Sequence, residues 1–259
     1  MTKDFPYDLV TLRDFDTGWG WDAQLRGLIR KKYRQDLEGL SHLNPSSLAQ
    51  SLRAEVLPEQ PYASVQWVIR ICPFRPLELY FLYDHDPEFG TDLRVFYARK
   101  SLAVPTEDAY VFAWDFLGLL ARYGRGTYVP DSADPGSSWV PFEAVEARVG
   151  ASLKNFALGP RLEVVPLIST AVAAVAMLRL DSGTCVEMPR GWVATWPVLQ
   201  DLSLRLRVEL PDIQVAFDDR GAIKYPPEFL LSFAWLYINA LIRQARQVEP
   251  SLPRLSRYF

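Results

Sequence analysis

The chain has 259 residues, of which 49% are hydrophobic, with a formal net charge of −3 and a pI near 5.5. This composition excludes global disorder and argues against a general nucleic-acid binder, which needs a basic field. The N-terminal stretch lacks the apolar region of a signal peptide, and the longest apolar run, residues 164–180, is shorter than the about 20 residues that cross a bilayer. We therefore expect a cytoplasmic protein without membrane insertion.

The first half starts with a predicted helix over residues 17–37, where apolar residues recur at helical spacing. Strands are predicted over residues 64–72, 77–83 and 93–99, and the last two form a hairpin around an acidic loop. The first of these strands alternates apolar and polar residues, which predicts one buried face. Pro105 then opens a long amphipathic helix, because proline suits the first helical turn.

The second half is predicted to alternate helices and strands in the same way. Its expected elements are a helix over 141–156, a buried strand pair or core segment over 164–180, strands over 185–188 and 202–210, a hairpin over 213–225 and a helix over 227–247. Only one face of the 202–210 strand is apolar, which indicates an antiparallel sheet.

An internal repeat emerges when the halves are aligned with an offset of 121 residues. Residues 96–125 then match residues 217–246 at ten of 30 positions, whereas about two are expected for unrelated sequences. The alternative is that any two amphipathic helices preceded by proline look alike. The interpretation that we adopt is an α+β fold of two related halves, each of antiparallel strands plus a long amphipathic helix, at 1–126 and 140–259, with a linker at 127–139.

The loop between the two hairpin strands is rich in carboxylates. Asp84, Asp86, Glu88 and Asp92 could supply the oxygen ligands that Ca²⁺ or Mg²⁺ prefers. Their spacing departs from the EF-hand pattern, and the second half has no matching set. The alternative is a hairpin tip kept soluble by charge, so no cofactor is predicted and a divalent cation remains the open possibility.

Arginines follow one face of the first predicted helix. Arg26, Arg30 and Arg34 recur at i, i+4 and i+8. Arginines at this spacing share one helix face and could bind phosphates or an acidic partner. Arg243 and Arg246 add positive charge in the last helix. The alternative is a solvated helix face.

Aromatic residues and cysteines complete the candidates. Trp19 and Trp21 lie beside glycines and could anchor a protein interface or fill the core. Cys72 and Cys185 lie in apolar strand-like segments, and we expect both to be buried thiols of a reducing compartment.

Familiar catalytic and nucleotide-binding motifs, such as GxSxG, GxxxxGK[ST], HExxH and CxxC pairs, do not occur. The sequence therefore favours a non-catalytic binding or assembly module, an accessory protein or subunit of a bacterial-type complex with a protein partner. One alternative is a metal-dependent hydrolase or nuclease that uses the acidic loop. The other is nucleic-acid or anion binding through the arginines of the first helix. Oligomeric state does not follow from the sequence.

Overall fold

The computed structural model describes residues 7–86, 88, 90–126, 138–149 and 156–254. The chain divides into two compact units, Met1–Asp131 and Ser132–Phe259. Within the described residues, each unit contains a five-stranded antiparallel sheet with helices, which confirms the α+β class. Of the predicted linker, residues 127–137 lie outside the described residues, and Trp139 begins a strand.

The N-terminal unit places short helices before its main strands and one long helix after them. In chain order its elements are β1 (Leu9–Val10), α1 (Trp19–Gly27), a π-helical turn (Leu28–Lys32), α2 (Arg34–Glu38), α3 (Pro45–Ser51), β2 (Glu55–Leu57), β3 (Trp67–Phe74), β4 (Leu77–Asp86), β5 (Gly90–Ala98) and α4 (Thr106–Gly124), with 3-10 turns at Leu12–Asp14, Gly39–His42 and Arg99–Ala103.

The predicted helix over 17–37 is interrupted. The backbone N–H of Tyr33 donates to the carbonyl of Leu28 at 3.0 Å, which closes the π turn, and Tyr33 itself leaves the helical region with φ −108° and ψ 0°. Asn44 then caps α3 by accepting from the N–H of Ser46. A further helix, which the sequence did not predict, therefore begins at Pro45.

The sheet of the N-terminal unit is buried on both faces at its centre. On one face the hydroxyl of Tyr83 donates to the carbonyl of Leu37, and that of Tyr97 donates to the carbonyl of Ala109 in α4, each at 3.1 Å. The other face carries a second apolar cluster that includes Val68 and Tyr80. The prediction that β3 buries a single face was wrong at Val68, which is fully buried.

The C-terminal unit has the same succession of elements. They are β6 (Trp139–Pro141), α5 (Phe142–Glu146), α6 (Gly159–Val164), a 3-10 turn (Val165–Leu167), α7 (Thr170–Leu180), β7 (Thr184–Met188), β8 (Gly191–Leu199), β9 (Leu202–Glu209), β10 (Asp212–Asp218), α8 (Asp219–Lys224) and α9 (Pro227–Val248).

The apolar run 164–180 is helical, so its assignment as a strand pair was wrong. Ser169 caps α7 by accepting from the N–H of Val172, and Asp181 ends it with φ +51°. Leu178 is 78% exposed, so the run is only partly core. In the described residues no single helix is long and apolar enough to cross a membrane, although the bent pair Gly159–Leu167 and Thr170–Leu180 passes that test by length and composition.

Two further assignments differ from the structure. The predicted hairpin over 213–225 is a strand followed by α8, because the carboxylate of Asp218 accepts from the N–H of Gly221 and caps a helix there. The helix predicted over 141–156 begins as expected but α5 ends at Glu146, and residues 150–155 lie outside the described part of the chain.

The two sheets share one topology, which supports the internal duplication. Their strand orders are β1-β5-β4-β3-β2 and β6-β10-β9-β8-β7, so each strand has a counterpart in the same position. Pro105 and Pro226 precede α4 and α9 with nearly identical backbone angles. The predicted apolar stripes of both helices are confirmed, since every member is at most 1% exposed: Ala109, Phe112, Ala113, Phe116, Leu117, Leu120, Leu230, Phe233, Ala234, Tyr237, Ile238 and Leu241.

The repeat contains a one-residue insertion. The N–H of Arg99 donates to the carbonyl of Asp8, and the N–H of Asp219 donates to that of Ser138, each at 3.1 Å, so these two donors are equivalent. β5 and β10 therefore correspond with an offset of 120, whereas the long helices that follow them correspond with an offset of 121. The additional residue lies in α8, the segment that is equivalent to the 3-10 turn Arg99–Ala103 of the N-terminal unit.

Candidate binding groove

The outer edge of β5 is largely unpaired. β1 pairs with β5 only at Tyr97 and Ala98, and no other described strand lies on that side of residues 90–96. An unpaired strand edge presents free backbone N–H and C=O groups, which are a template for another extended chain.

A groove follows this edge. Two adjoining clefts of about 250 and 210 Å³ share Ile29, Arg30 and Asp92. Residues 92–96 all contribute to the lining, although successive side chains of a strand point to opposite faces. A cleft that contacts both faces must run along the strand edge. We call it the β5 groove, and its lining residues are Thr11, Asp22, Leu25, Arg26, Ile29, Arg30, Arg34, Leu37, Thr91, Asp92, Leu93, Arg94, Val95 and Phe96.

The wall opposite β5 is formed by α1, the π turn and α2. Leu25 and Ile29 are buried and attach this wall to the core. The predicted arginine stripe, Arg26, Arg30 and Arg34, lines the groove along its length. The structure thus brings the stripe together with Asp92 of the acidic loop, which the sequence treated as a separate candidate.

The arginines of the wall differ in their charge balance. Arg26 pairs with Asp22, which also accepts from Arg13 at 2.7 Å. Arg30 and Arg34 are exposed, and neither forms an ion pair with any residue that the structure describes. The distance from Nη2 of Arg34 to the position that a Cβ would occupy on Gly90 is 3.6 Å, so this side chain extends to the start of β5. Two positive charges of the groove are therefore uncompensated.

Of the acidic residues, Asp84 and Asp86 lie in β4 and Asp92 lies in β5, at the end of the hairpin that these strands form. Asp84 and Asp92 face each other across the strands, and Arg94 contacts them at 3.9 and 3.3 Å. Asp86 accepts from the N–H of Glu88 at 2.7 Å, which shapes the turn. Among the described residues, no three His, Cys, Asp or Glu side chains are grouped to hold a metal ion.

The remaining candidates lie outside the β5 groove. Trp19 is 69% exposed with the Arg13 guanidinium 4.5 Å from its ring centre, and Trp21 packs on Tyr110. Arg243 and Arg246 belong to α9 of the C-terminal unit. The Nε of Arg246 donates to the carbonyl of Leu252 at 3.1 Å, so this arginine fastens the segment that follows α9.

A charged cluster on the N-terminal sheet was not anticipated from the sequence. Glu78 is 5% exposed and accepts from Lys100 and the Tyr80 hydroxyl, with Arg70 at 3.6 Å. Burial alone would raise the pKa of Glu78, but these cationic and hydroxyl partners hold it below its ordinary value. A glutamate within the apolar strand "LELYFLY" was the available signal, because buried acids need partners.

Cys72 lies beside this cluster. The expectation of buried thiols was wrong, because Cys72 is exposed and Cys185 is half-buried; both are free. Partial desolvation of the thiol and the negative charge of Glu78 raise the pKa of Cys72 to about 11. Since the thiolate is the nucleophile, this environment suppresses nucleophilic chemistry at Cys72.

Comparison of the chain with protein-family models, curated proteins and solved structures found no match.

Proposed function

We propose that this protein is a non-catalytic binding module that takes up an extended acidic segment of a partner protein in the β5 groove. The observation that carries the proposal is the unpaired edge of β5 beside two uncompensated arginines, Arg30 and Arg34. The backbone edge provides affinity through main-chain hydrogen bonds. Arg30 and Arg34 on the helical wall favour a segment with negative charge.

The positions of the arginines suit an extended ligand. Arg30 and Arg34 lie on either side of the break at Tyr33, and both line the same cleft beside the start of β5. Side chains on one face of a strand repeat at every second residue, about 6.6–6.8 Å apart. A segment with acidic residues two positions apart therefore presents its carboxylates on one face, where they can pair with these arginines.

The other two functions considered for this chain have less support. A nucleic acid has no peptide backbone to pair with the open edge of β5, and the two uncompensated arginines are fewer than the basic field that nucleic-acid binders present. A metal-dependent hydrolase would need the carboxylates of Asp84 and Asp92, which pair with Arg94 instead.

The test is fluorescence anisotropy with a labelled peptide in which Val and Glu alternate. Arg30→Glu and Lys31→Glu change the net charge equally and lie next to each other, but only Arg30 lines the groove. We expect Arg30→Glu to weaken binding about tenfold, equivalent to about 1.4 kcal/mol. Lys31→Glu should change it less than about twofold, which is near the low end of what exposed charges contribute.

Two further probes separate the mechanisms. A peptide with N-methyl groups at alternate residues keeps its charge but loses backbone donors, so strand addition predicts a loss of binding. A labelled oligothymidylate of equal charge tests for nucleic acid. Equal loss in both charge variants, full binding by the N-methylated peptide, or tighter binding of the oligonucleotide would each refute the proposal.

A further inference from the structure

The duplication gives the C-terminal unit an open edge at the equivalent position. β6 pairs with β10 only through Ala216, Phe217 and Asp218. No other described strand lies on that side of residues 212–215. The open stretch of β10 is therefore the counterpart of the open stretch of β5.

A cleft of about 510 Å³ lies beside this second edge. It is lined by Asp212, Ile213 and Gln214 of the open stretch and by two residues of β9, Arg207 and Glu209, which pair with Gln214 and Asp212 and so share their face of the sheet. We call it the β10 groove, and its other lining residues are Pro141 and Glu143.

The charge of the β10 groove is opposite to that of the β5 groove. Arg207 is neutralised by Glu209, which also has Arg190 at 3.9 Å. Glu143 and Asp212 are exposed, and neither has an ion-pair partner in the part of the chain that the structure describes. These two carboxylates are therefore available to pair with a ligand in the groove.

We infer that the β10 groove binds an extended basic segment of a partner protein, added as a strand to β10, with Lys or Arg side chains on Glu143 and Asp212. Charge complementarity and the free backbone edge select this occupant. The inference has its own observation, the edge of β10, and does not depend on the ligand of the β5 groove. Together the two grooves would let one chain hold two segments of opposite charge.

The experiment uses the full chain and a labelled peptide in which Val and Lys alternate. Glu143→Lys and Glu146→Lys make the same charge change on the same helix, but only Glu143 lines the groove. We expect about a tenfold loss of affinity for Glu143→Lys, and less than about a twofold loss for Glu146→Lys. In NMR spectra the peptide should shift the amide signals of residues 212–215, and Arg30→Glu should leave its affinity unchanged.

The inference fails if both glutamate variants lose equal affinity, or if the shifted amides lie outside β10. It also fails if light scattering shows self-association of the free protein that Glu143→Lys abolishes, because a second copy would then occupy the edge. Circular dichroism and the melting temperature of Glu143→Lys check that α5 is intact. Asp212→Asn, a conservative change outside any helix, provides the second variant. It should also lower the affinity for the peptide.

Discussion

The backbones of Gly39 and Gly124 are in direct contact in the N-terminal unit. A Cβ built on Gly39 would stand 2.0 Å from the carbonyl oxygen of Gly124, and one on Gly124 would stand 1.9 Å from that of Asp36. The backbone that follows α2 therefore touches the end of α4 directly. This contact fixes the position of the helical wall that carries Arg34, and only glycine permits it.

Gly124→Ala should destabilise the protein by about 1–3 kcal/mol, because the new methyl group meets backbone atoms that must shift. The control is Gly27→Ala, where a Cβ meets no atom within 4 Å. That change should be neutral or stabilising by up to about 1 kcal/mol, since alanine favours a helix. Urea unfolding of the two variants measures the difference, and similar stabilities would contradict the close packing.

Glu78→Gln should lower the free energy of unfolding at pH 7 by about 1–3 kcal/mol, because Lys100 and Arg70 lose their buried acceptor. The folded-state pKa of Glu78 is below its ordinary value, so its stabilisation is present above about pH 4.3 and is lost as the pH falls towards the folded-state pKa. The difference from the native protein should therefore shrink in acid.

The control for that experiment is Glu55→Gln. Glu55 also pairs with Arg70, but its side chain is 55% exposed. An exposed pair contributes about 0–1 kcal/mol, so this variant should be nearly as stable as the native protein. Urea titrations at pH 7 and pH 4 compare all three proteins. A difference that grows in acid would show that the sign assigned to the pKa shift of Glu78 is wrong.

Cys72 should react slowly with iodoacetamide at pH 8 despite its exposure, with a rate that rises towards pH 11. Glu78→Gln should speed the reaction at pH 8, because the Glu78 carboxylate is one cause of the raised thiol pKa. Mass spectrometry in a Cys185→Ser background follows the single thiol. A midpoint near pH 8.5, the ordinary cysteine value, would contradict the prediction.

Arg94→Gln should destabilise the hairpin by about 0.2–1 kcal/mol, because Asp84 and Asp92 would then face each other without a cation between them. Salt should restore part of the loss, since about 1 M salt screens charges beyond about 3 Å. Asp92→Asn in the same background should restore it without salt. Melting temperatures of the three proteins measure this, and an unchanged Arg94→Gln variant would contradict it.

The same assay bears on the divalent-cation alternative. We expect Mg²⁺, Mn²⁺ and Ca²⁺ to leave the melting temperature of the native protein unchanged, because Arg94 already balances two of the carboxylates. A rise that disappears in the Asp84→Ala, Asp86→Ala variant would instead support the hydrolase or nuclease interpretation.

The long helices could be predicted because their signals are local. In α4 and α9 a proline, an acidic first turn and an uninterrupted apolar stripe agree with one another. The run 164–180 was misassigned because a continuous apolar stretch has no period that separates strand from helix. Its caps, Ser169 and Asp181, were the decisive residues, and neither type is distinctive on its own.

The candidate site could be predicted only in part. The spacing of Arg26, Arg30 and Arg34 indicated a common face, and they do share a groove. The open edge of β5 could not be anticipated, because it results from the pairing of Leu9 with Ala98, which are far apart in the chain. No local sequence pattern predicts which residues pair across such a separation, or that β1 pairs with β5 at only two positions.

The single extra residue in α8 shows where a duplicated fold can tolerate a change in chain length. Inserted in β10, it would turn every following side chain to the opposite face of the sheet; inserted in α9, it would rotate the apolar stripe away from the core. Between Asp218 and Pro226 it does neither, because the chain accommodates it as one more residue of the short helix α8. The two copies of an ancestral unit could thus diverge in length at this joint while strand and helix kept their inherited phase.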